Sequence, residues 1–526
     1  MKILAADGIS PEGIELLADY EVDVRDKISH EELIEVIGGY DALMVRSASK
    51  VSADVLERAD RLKIIGRAGV GVDNIDVKAA TERGIIVINS PGGNTIAATE
   101  HTMAMMLSLA RNIPAADATM HTGGWNRKAY VGVELRGKTL GVIGMGRIGS
   151  GVAKRALAFE MNVIAYDPYI NEERAKALGV AVGTLDDIFA AADFITVHMP
   201  LTKETRGMIS MKEMRRMKKG IRLVNCARGG IISETDLAAA VEEGIVAGAA
   251  IDVFENEPLA EDHPLRGIPG IVLTPHLGAS TVEAQIGVSV DVAEGIRAAL
   301  RGEPVTAAVN MAPVSKEVMR VIRPYITLAE QLGCTACSLA EGAVSHVEVI
   351  YNGEITEVNT SFLTTAILKG MLNPILESEI NYVNAPGVAK SRGIKVTEIK
   401  EKETSHFSTL ITVRVTAVGG TAEVQGTLFG TEGRIVRINR FRVDVDPHAR
   451  ILICPHINRP GVIGTIGSIM GEAGINISSM QVGKSDREGM NIMVLTIDHD
   501  IPNDTLARVL AVDGIFDAKL VNFETI

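Results

Sequence analysis

Thr139-Leu140-Gly141-Val142-Ile143 runs straight into Gly144-Met145-Gly146-Arg147-Ile148-Gly149, and the chain returns through Asn162-Val163-Ile164-Ala165-Tyr166 to Asp167. The first apolar run reads as a buried strand. The glycine turn opens an amphipathic helix (Val152, Leu157, Phe159), and the second apolar run is the next parallel strand. Each part suits a dinucleotide. Gly144 permits the tight turn, Gly146 lets backbone N–H groups approach a pyrophosphate, and Gly149 allows the helix to pack close to the strand. Asp167 stands where a carboxylate hydrogen-bonds the adenosine ribose, and its charge repels a 2′-phosphate, which favours NAD over NADP. A glycine turn alone is a weak signal, but here strand, turn, helix, strand and acid arrive in order.

Composition sets the outer limits. At 526 residues the chain is too long for one core and is expected to divide into several domains. Its 46% hydrophobic and 23% charged residues are those of a globular protein. A formal net charge of −13 argues against a nucleic-acid surface, so an anionic substrate needs a local basic pocket. Four cysteines (Cys226, Cys334, Cys337, Cys454) give no disulfide framework and point to a reducing compartment. The chain opens on a strand-like segment rather than a basic-then-apolar leader, and it holds no apolar run of membrane-spanning length. A cytoplasmic protein without membrane or nucleic-acid partners is expected.

Outward from the glycine turn, residues 1–95 alternate strand-like runs (3–6, 21–24, 42–45, 63–65, 85–88) with helix-like ones, and Ser29 and Ser52 are placed as N-caps. That alternation predicts a parallel sheet covered on both faces. Residues 95–111 form a mostly apolar helix, read as a buried interdomain or subunit-interface element. The only tryptophan, Trp125, follows in a polar excursion with Arg127 and Lys128. Strand-like runs at 194–198, 222–225, 247–251 and 271–274 carry the glycine-turn domain to about residue 280. The expected domains are 1–95, completed by about 281–305; 96–280; 306–448; and 449–526. The last reads β-α-β-β-α-β, a ferredoxin-like order.

Three loops that follow strands hold the remaining candidates: Asn225-Cys226-Ala227-Arg228-Gly229-Gly230, residues 252–258 with Asp252 and Glu257, and Thr274-Pro275-His276-Leu277-Gly278-Ala279-Ser280. Ligands of a doubly wound sheet sit outside the carboxyl ends of its strands, so these loops converge. An arginine there grips a carboxylate bidentately, and a histidine paired with an acid moves protons near neutral pH.

These motifs, with Val45-Arg46-Ser47-Ala48 and Gly66-Arg67-Ala68-Gly69-Val70-Gly71-Val72-Asp73-Asn74, resemble the D-isomer-specific 2-hydroxyacid dehydrogenases in their long form. The resemblance covers the whole chain. It implies an α/β protein with two doubly wound parallel-sheet domains, a flavodoxin-like substrate domain and a Rossmann NAD domain. An α+β intervening domain and a ferredoxin-like ACT domain would follow. By resemblance, Arg228 binds the substrate carboxylate and the C2 oxygen, His276 takes the C2 hydroxyl proton, and Glu257 holds and polarises His276. Val70, Gly144, Gly146, Arg147, Ile148, Gly149, Asp167, Met199, Cys226, Ala227, Asp252, Gly278 and Ala279 fall where the family contacts NAD. Met199 stands where relatives often carry threonine, so a hydroxyl contact is missing.

Arg46, Ser47, Arg67, Gly69 and Asn94 align with family residues around a phosphorylated substrate. The implied reaction is oxidation of D-3-phosphoglycerate to 3-phosphohydroxypyruvate, the first step of L-serine biosynthesis, in a homo-oligomer, expected to be a tetramer. His456, Asn458 and Asn476 align with residues that bind L-serine as a feedback effector, although Asn458 replaces an aspartate common in relatives. The alternatives are another 2-hydroxy acid as substrate (glyoxylate, hydroxypyruvate or 2-hydroxyglutarate) or an NAD-sensing binding protein. No metal site is read: Cys334-x-x-Cys337 has no further ligands at zinc spacing and is assigned to packing.

Overall fold

Short apolar runs bounded by turns become the parallel inner strands of the first two sheets, while edge strands such as Glu21–Arg25 and Ala181–Val182 stay partly exposed. In the computed structural model, which describes residues 1–526 except 304, 306, 313, 377–379, 404, 405, 485–488 and 526, the first sheet is five-stranded and parallel. Its order is Glu21–Arg25, Lys2–Ala6, Ala42–Val45, Ile64–Arg67, Ile86–Asn89, the flavodoxin-like order. Alternate residues face opposite layers. Leu4, Leu43, Ile65 and Val87 share one core with Leu33 and Val55, while Ile3, Met44, Ile64 and Ile88 share another with Val288, Val292 and Ile296.

Helix Val282–Leu300 thus returns to cover the first sheet. Gly66 makes the approach possible, since a Cβ there would stand 2.3 Å from a methyl of Val292. The return continues past the expected end near 305. Ala308 bridges to Ile88, and Asn310 Oδ1 accepts the Val87 N–H at 2.9 Å. Ser29 caps its helix through the Glu32 N–H, whereas Ser52 gives its hydroxyl to Asp54 and caps nothing.

The second sheet is seven-stranded and parallel, in the order Ile271–Leu273, Val246–Ile251, Ile221–Asn225, Phe194–Val197, Thr139–Ile143, Asn162–Tyr166, Ala181–Val182. Strand order reverses between Thr139–Ile143 and Phe194–Val197, and the glycine turn leaves from that switch point.

The third sheet has six strands, one parallel pairing and the rest antiparallel, backed by helices Ile326–Leu339 and Ser361–Leu372. The fourth has the ferredoxin-like order Ile477–Lys484, Met490–Ile497, Arg450–Ile457, Lys519–Asn522, with helices Val462–Glu472 and Asn503–Leu510. Strand Arg450–Ile457 is buried on both sides. Leu452 and Cys454 meet their own helices, while Ile451 and Ile453 join Leu328, Leu332 and Cys334 in one core. The third and fourth sheets are separate ladders with a common hydrophobic interior. Among the described residues no helix is long and apolar enough to cross a membrane.

Candidate functional site

The glycine turn has the geometry that a dinucleotide needs. Gly144 has φ +100°, and a Cβ on Gly149 would lie 1.9 Å from the Gly144 carbonyl oxygen. Around Gly146 there is open space, and as N-cap of helix Arg147–Ala158 it offers no side chain to the first-turn N–H groups. Those donors are left for a pyrophosphate. Asp167 follows its strand with Oδ2 accepting the Met145 N–H and Oδ1 the Tyr169 N–H, each at 2.8 Å, which ties this acid to the turn. Arg147 reaches across to the Pro91 carbonyl at 2.5 Å. Ile148 packs with the core beneath the turn, and Met199 with the core on the other side of the sheet. His198 beside it is pushed down to about 4 by burial, so it is neutral near pH 7.

The loops after the central strands are pinned by their own side chains. Buried Asn225 accepts the Ala227 N–H at 3.1 Å and donates to the Arg228 carbonyl at 2.9 Å, which shapes the turn presenting Arg228. The Arg228 guanidinium donates to the Ala227 carbonyl at 2.7 Å and lies 3.2 Å from Asp73, across the cleft. Glu257 accepts the Phe254 N–H at 3.0 Å through Oε1, and Oε2 lies 2.8 Å from His276 Nδ1. Burial raises the Glu257 pKa, but the His276 and Phe254 hydrogen bonds outweigh it, and the carboxyl stays below its usual range. With Nδ1 held by a carboxylate, Nε2 is the ring nitrogen available to a substrate proton.

His276 itself is held in a left-handed conformation, φ +56°. Asp252, with no exposed surface, accepts the Thr274 hydroxyl at 2.5 Å and the Leu277 and Gly278 N–H groups at 2.8 and 2.9 Å. Cys226 and His101 stand within 4.8 Å of it, a set of donors suited to a metal in composition. Oδ1 of Asp252 faces Thr274, Leu277 and His101, while Oδ2 accepts, among the described residues, only the Gly278 N–H. Burial and the Asp252 charge push the Cys226 thiol up to about 12, so it stays protonated.

Arg46, Ser47, Arg67, Gly69, Val70 and Asn94 line one cavity of about 1130 Å³ together with Arg228, Glu257, His276 and Ala279. The Arg46 loop is fixed by Asp7, which accepts the Arg46 and Ser49 N–H groups at 2.9 Å, and by Asn74, which donates to the Arg46 carbonyl at 2.8 Å. Arg67 curls over Gly69, where a Cβ would stand 1.7 Å from its Nη1. Among the described residues neither its buried Nε nor Oδ1 of Asn94 has a hydrogen-bond partner. Burial, with Arg228 and Arg46 nearby, lowers the Arg67 pKa. The cavity holds more positive charge than its own acids neutralise. Gly144, Gly146, Arg147, Ile148, Gly149, Asp167, Met199, Cys226, Ala227, Asp252 and Gly278 lie outside its lining.

In the fourth sheet His456 is buried, with Nδ1 on the Ile457 carbonyl at 2.8 Å and Nε2 without a partner among the described residues. Asn458 donates its backbone N–H to Gly489, and the Asn476 amide is taken by Asp498 at 2.6 Å. Cys334 and Cys337 are buried free thiols. Sequence reasoning missed Asp7, Asp73 and His101. The first two are acids inside glycine-rich loops, and the third is a lone imidazole in an apolar helix. The polar Thr-Glu-His-Thr run at 99–102 was the available signal.

Residues 103–278 match the family model of the D-isomer specific 2-hydroxyacid dehydrogenase NAD-binding domain, residues 321–439 the D-3-phosphoglycerate dehydrogenase intervening domain, and residues 451–514 the ACT domain. The chain is 46% identical to D-3-phosphoglycerate dehydrogenase of Archaeoglobus fulgidus, over 99% of this chain and 100% of that protein. It is 44% identical to the enzyme of that name from Bacillus subtilis, over 99% of each. Among solved structures, D-lactate dehydrogenase from Escherichia coli aligns at TM-score 0.53 and 26% identity, covering 59% of this chain and 100% of that one. The chain belongs to the D-3-phosphoglycerate dehydrogenase family and is an NAD-binding oxidoreductase.

Proposed function

We propose that the chain oxidises D-3-phosphoglycerate to 3-phosphohydroxypyruvate with NAD, in the cytoplasm, as the first step of L-serine biosynthesis. The observation that carries this reading is one cavity holding the His276–Glu257 pair, Arg228, and the basic pair Arg46 and Arg67. Arg228 holds the substrate carboxylate and the C2 oxygen. His276 Nε2 takes the C2 hydroxyl proton, and the Glu257 carboxylate at Nδ1 stabilises the imidazolium that forms. Arg46 and Arg67 hold the phosphate dianion, which gives the buried Arg67 Nε–H an acceptor. The glycine turn, Asp167 and the Cys226–Ala227 turn hold NAD, which when bound supplies the acceptor for the C2 hydride.

The matched ACT domain supports inhibition by L-serine, with His456, Asn458 and Asn476 as ligand groups. Exposed apolar side chains at Met120, Trp125 and Val131 support assembly into a homo-oligomer, read as a tetramer. The test is NADH formation by the purified protein at alkaline pH, which favours the proton-releasing direction, with 3-phosphoglycerate, glycerate and 2-hydroxyglutarate, with and without L-serine. Turnover confined to the phosphorylated acid and lowered by serine supports both parts. Turnover indifferent to serine keeps the enzyme and removes the effector. Preference for an unphosphorylated acid overturns the substrate.

A further inference from the structure

Helix Thr95–Arg111 packs along strands Val246–Ile251 and Ile271–Leu273, and its His101 reaches a buried carboxylate there. His101 Nε2 lies 3.1 Å from Asp252 Oδ1 and 3.3 Å from Thr274 Oγ1. Asp252 in turn organises the segment carrying His276. Its carboxylate accepts the Leu277 and Gly278 N–H groups, and its backbone carbonyl accepts the His276 N–H at 2.9 Å. These bonds bracket His276 on both sides. They hold it at φ +56°, a left-handed backbone that a residue with a side chain ordinarily avoids. No lysine or arginine pairs with Asp252 among the described ion pairs, so its stability in a dry site depends on hydrogen-bond donors.

We propose that His101 is a positioning residue for His276: by donating to Asp252 it aims that carboxylate at the Leu277 and Gly278 N–H groups and keeps the His276 ring against Glu257. This deepens the reading of His276 as the proton acceptor and rests on it. His101 does not line the cavity. Its influence passes through a buried acid to the backbone on either side of the reacting ring. Displacements of roughly 1 Å at a reacting group can cost about 10²-fold in rate.

The test compares the full-length protein with His101→Leu, His101→Gln, His276→Ala and the double variant His101→Leu/His276→Ala, by steady-state kinetics and by crystal structures of the first two variants. His101→Leu should lower kcat about 10–100-fold while KM for 3-phosphoglycerate moves less than about threefold. His101→Gln, which keeps a donor near the Nε2 position, should restore most of the loss. The double variant should be no slower than His276→Ala alone, because the two act as one unit. In the His101→Leu crystal the His276–Glu257 contact should open. A contact that stays closed, or losses that add in the double variant, would overturn the proposal. Inactive wild-type protein would defeat the enzymatic reading instead, and the crystal arm would still decide the role of His101.

Discussion

On the wall of the cleft built from the first sheet, buried Arg67 Nε and Asn94 Oδ1 have no partner among the described residues. On the wall built from the second, Glu257 and His276 hold hydrogen bonds inside the protein, as does Asp252 buried behind them. Leaving a buried polar group unpaired is costly, and a cation more so. The first wall is therefore unfinished without a ligand, and the second is assembled beforehand. On the roles proposed above, the difference separates two tasks. Binding groups can wait for their counter-charge, whereas a group that must take a proton in the transition state needs its position set before the substrate arrives.

The sharpest way to break the comparison is at the assembled wall. His276→Ala should cut turnover roughly 10²–10⁴-fold and leave NADH affinity, measured by fluorescence titration, nearly intact. Unchanged turnover would remove His276 as the proton acceptor. At the unfinished wall, Arg67→Ala should raise KM for 3-phosphoglycerate about 10–100-fold, the ~1.5–3 kcal/mol of a charged hydrogen bond, while leaving turnover of glycerate or glyoxylate unaffected. Equal losses on phosphorylated and unphosphorylated acids would dissolve the phosphate site.

The smallest effect concerns His198, next to the glycine turn, which burial holds near pKa 4 against an ordinary 6.5. Between those values the unfolded chain binds the proton and the folded chain does not, so acid favours unfolding. The stability from neutral His198 should be whole above pH 6.5 and shrink as pH falls towards about 4. His198→Gln should flatten that acid limb in thermal melts, and an unaltered limb would place its origin elsewhere.

A second contrast lies between the N-terminal and C-terminal halves. The first two sheets keep separate cores and meet across a cleft. The third and fourth, expected to divide at 448/449, share an interior in which Ile451, Ile453 and Val494 pack with Leu328 and Leu332. Alternation along strand Arg450–Ile457 is weak in the sequence because both of its faces are apolar. A strand buried twice announces its burial but not its neighbours. Helix Ile326–Leu339 therefore packs directly against the fourth sheet as well as the third.

Local patterns were sufficient for the sheets and for the site's motifs. The glycine turn, the acid after the second strand and the three loops at strand ends are short-range arrangements. Each has its chemistry in neighbouring residues, and parallel-sheet topology brings strand ends to one side. Other features depend on contacts between residues far apart in the chain. Asn310 completes the first sheet from beyond residue 305, and Asp73 meets Arg228 over the cleft. His101 finds Asp252 from a mostly apolar helix whose short polar run at 99–102 names no partner. Periodicity records which residues are buried and when the chain turns, so the sequence by itself determined the elements, their order and the cofactor class. Which polar groups are paired and which are left open depends on distances between segments hundreds of residues apart, and the tertiary structure alone decided it.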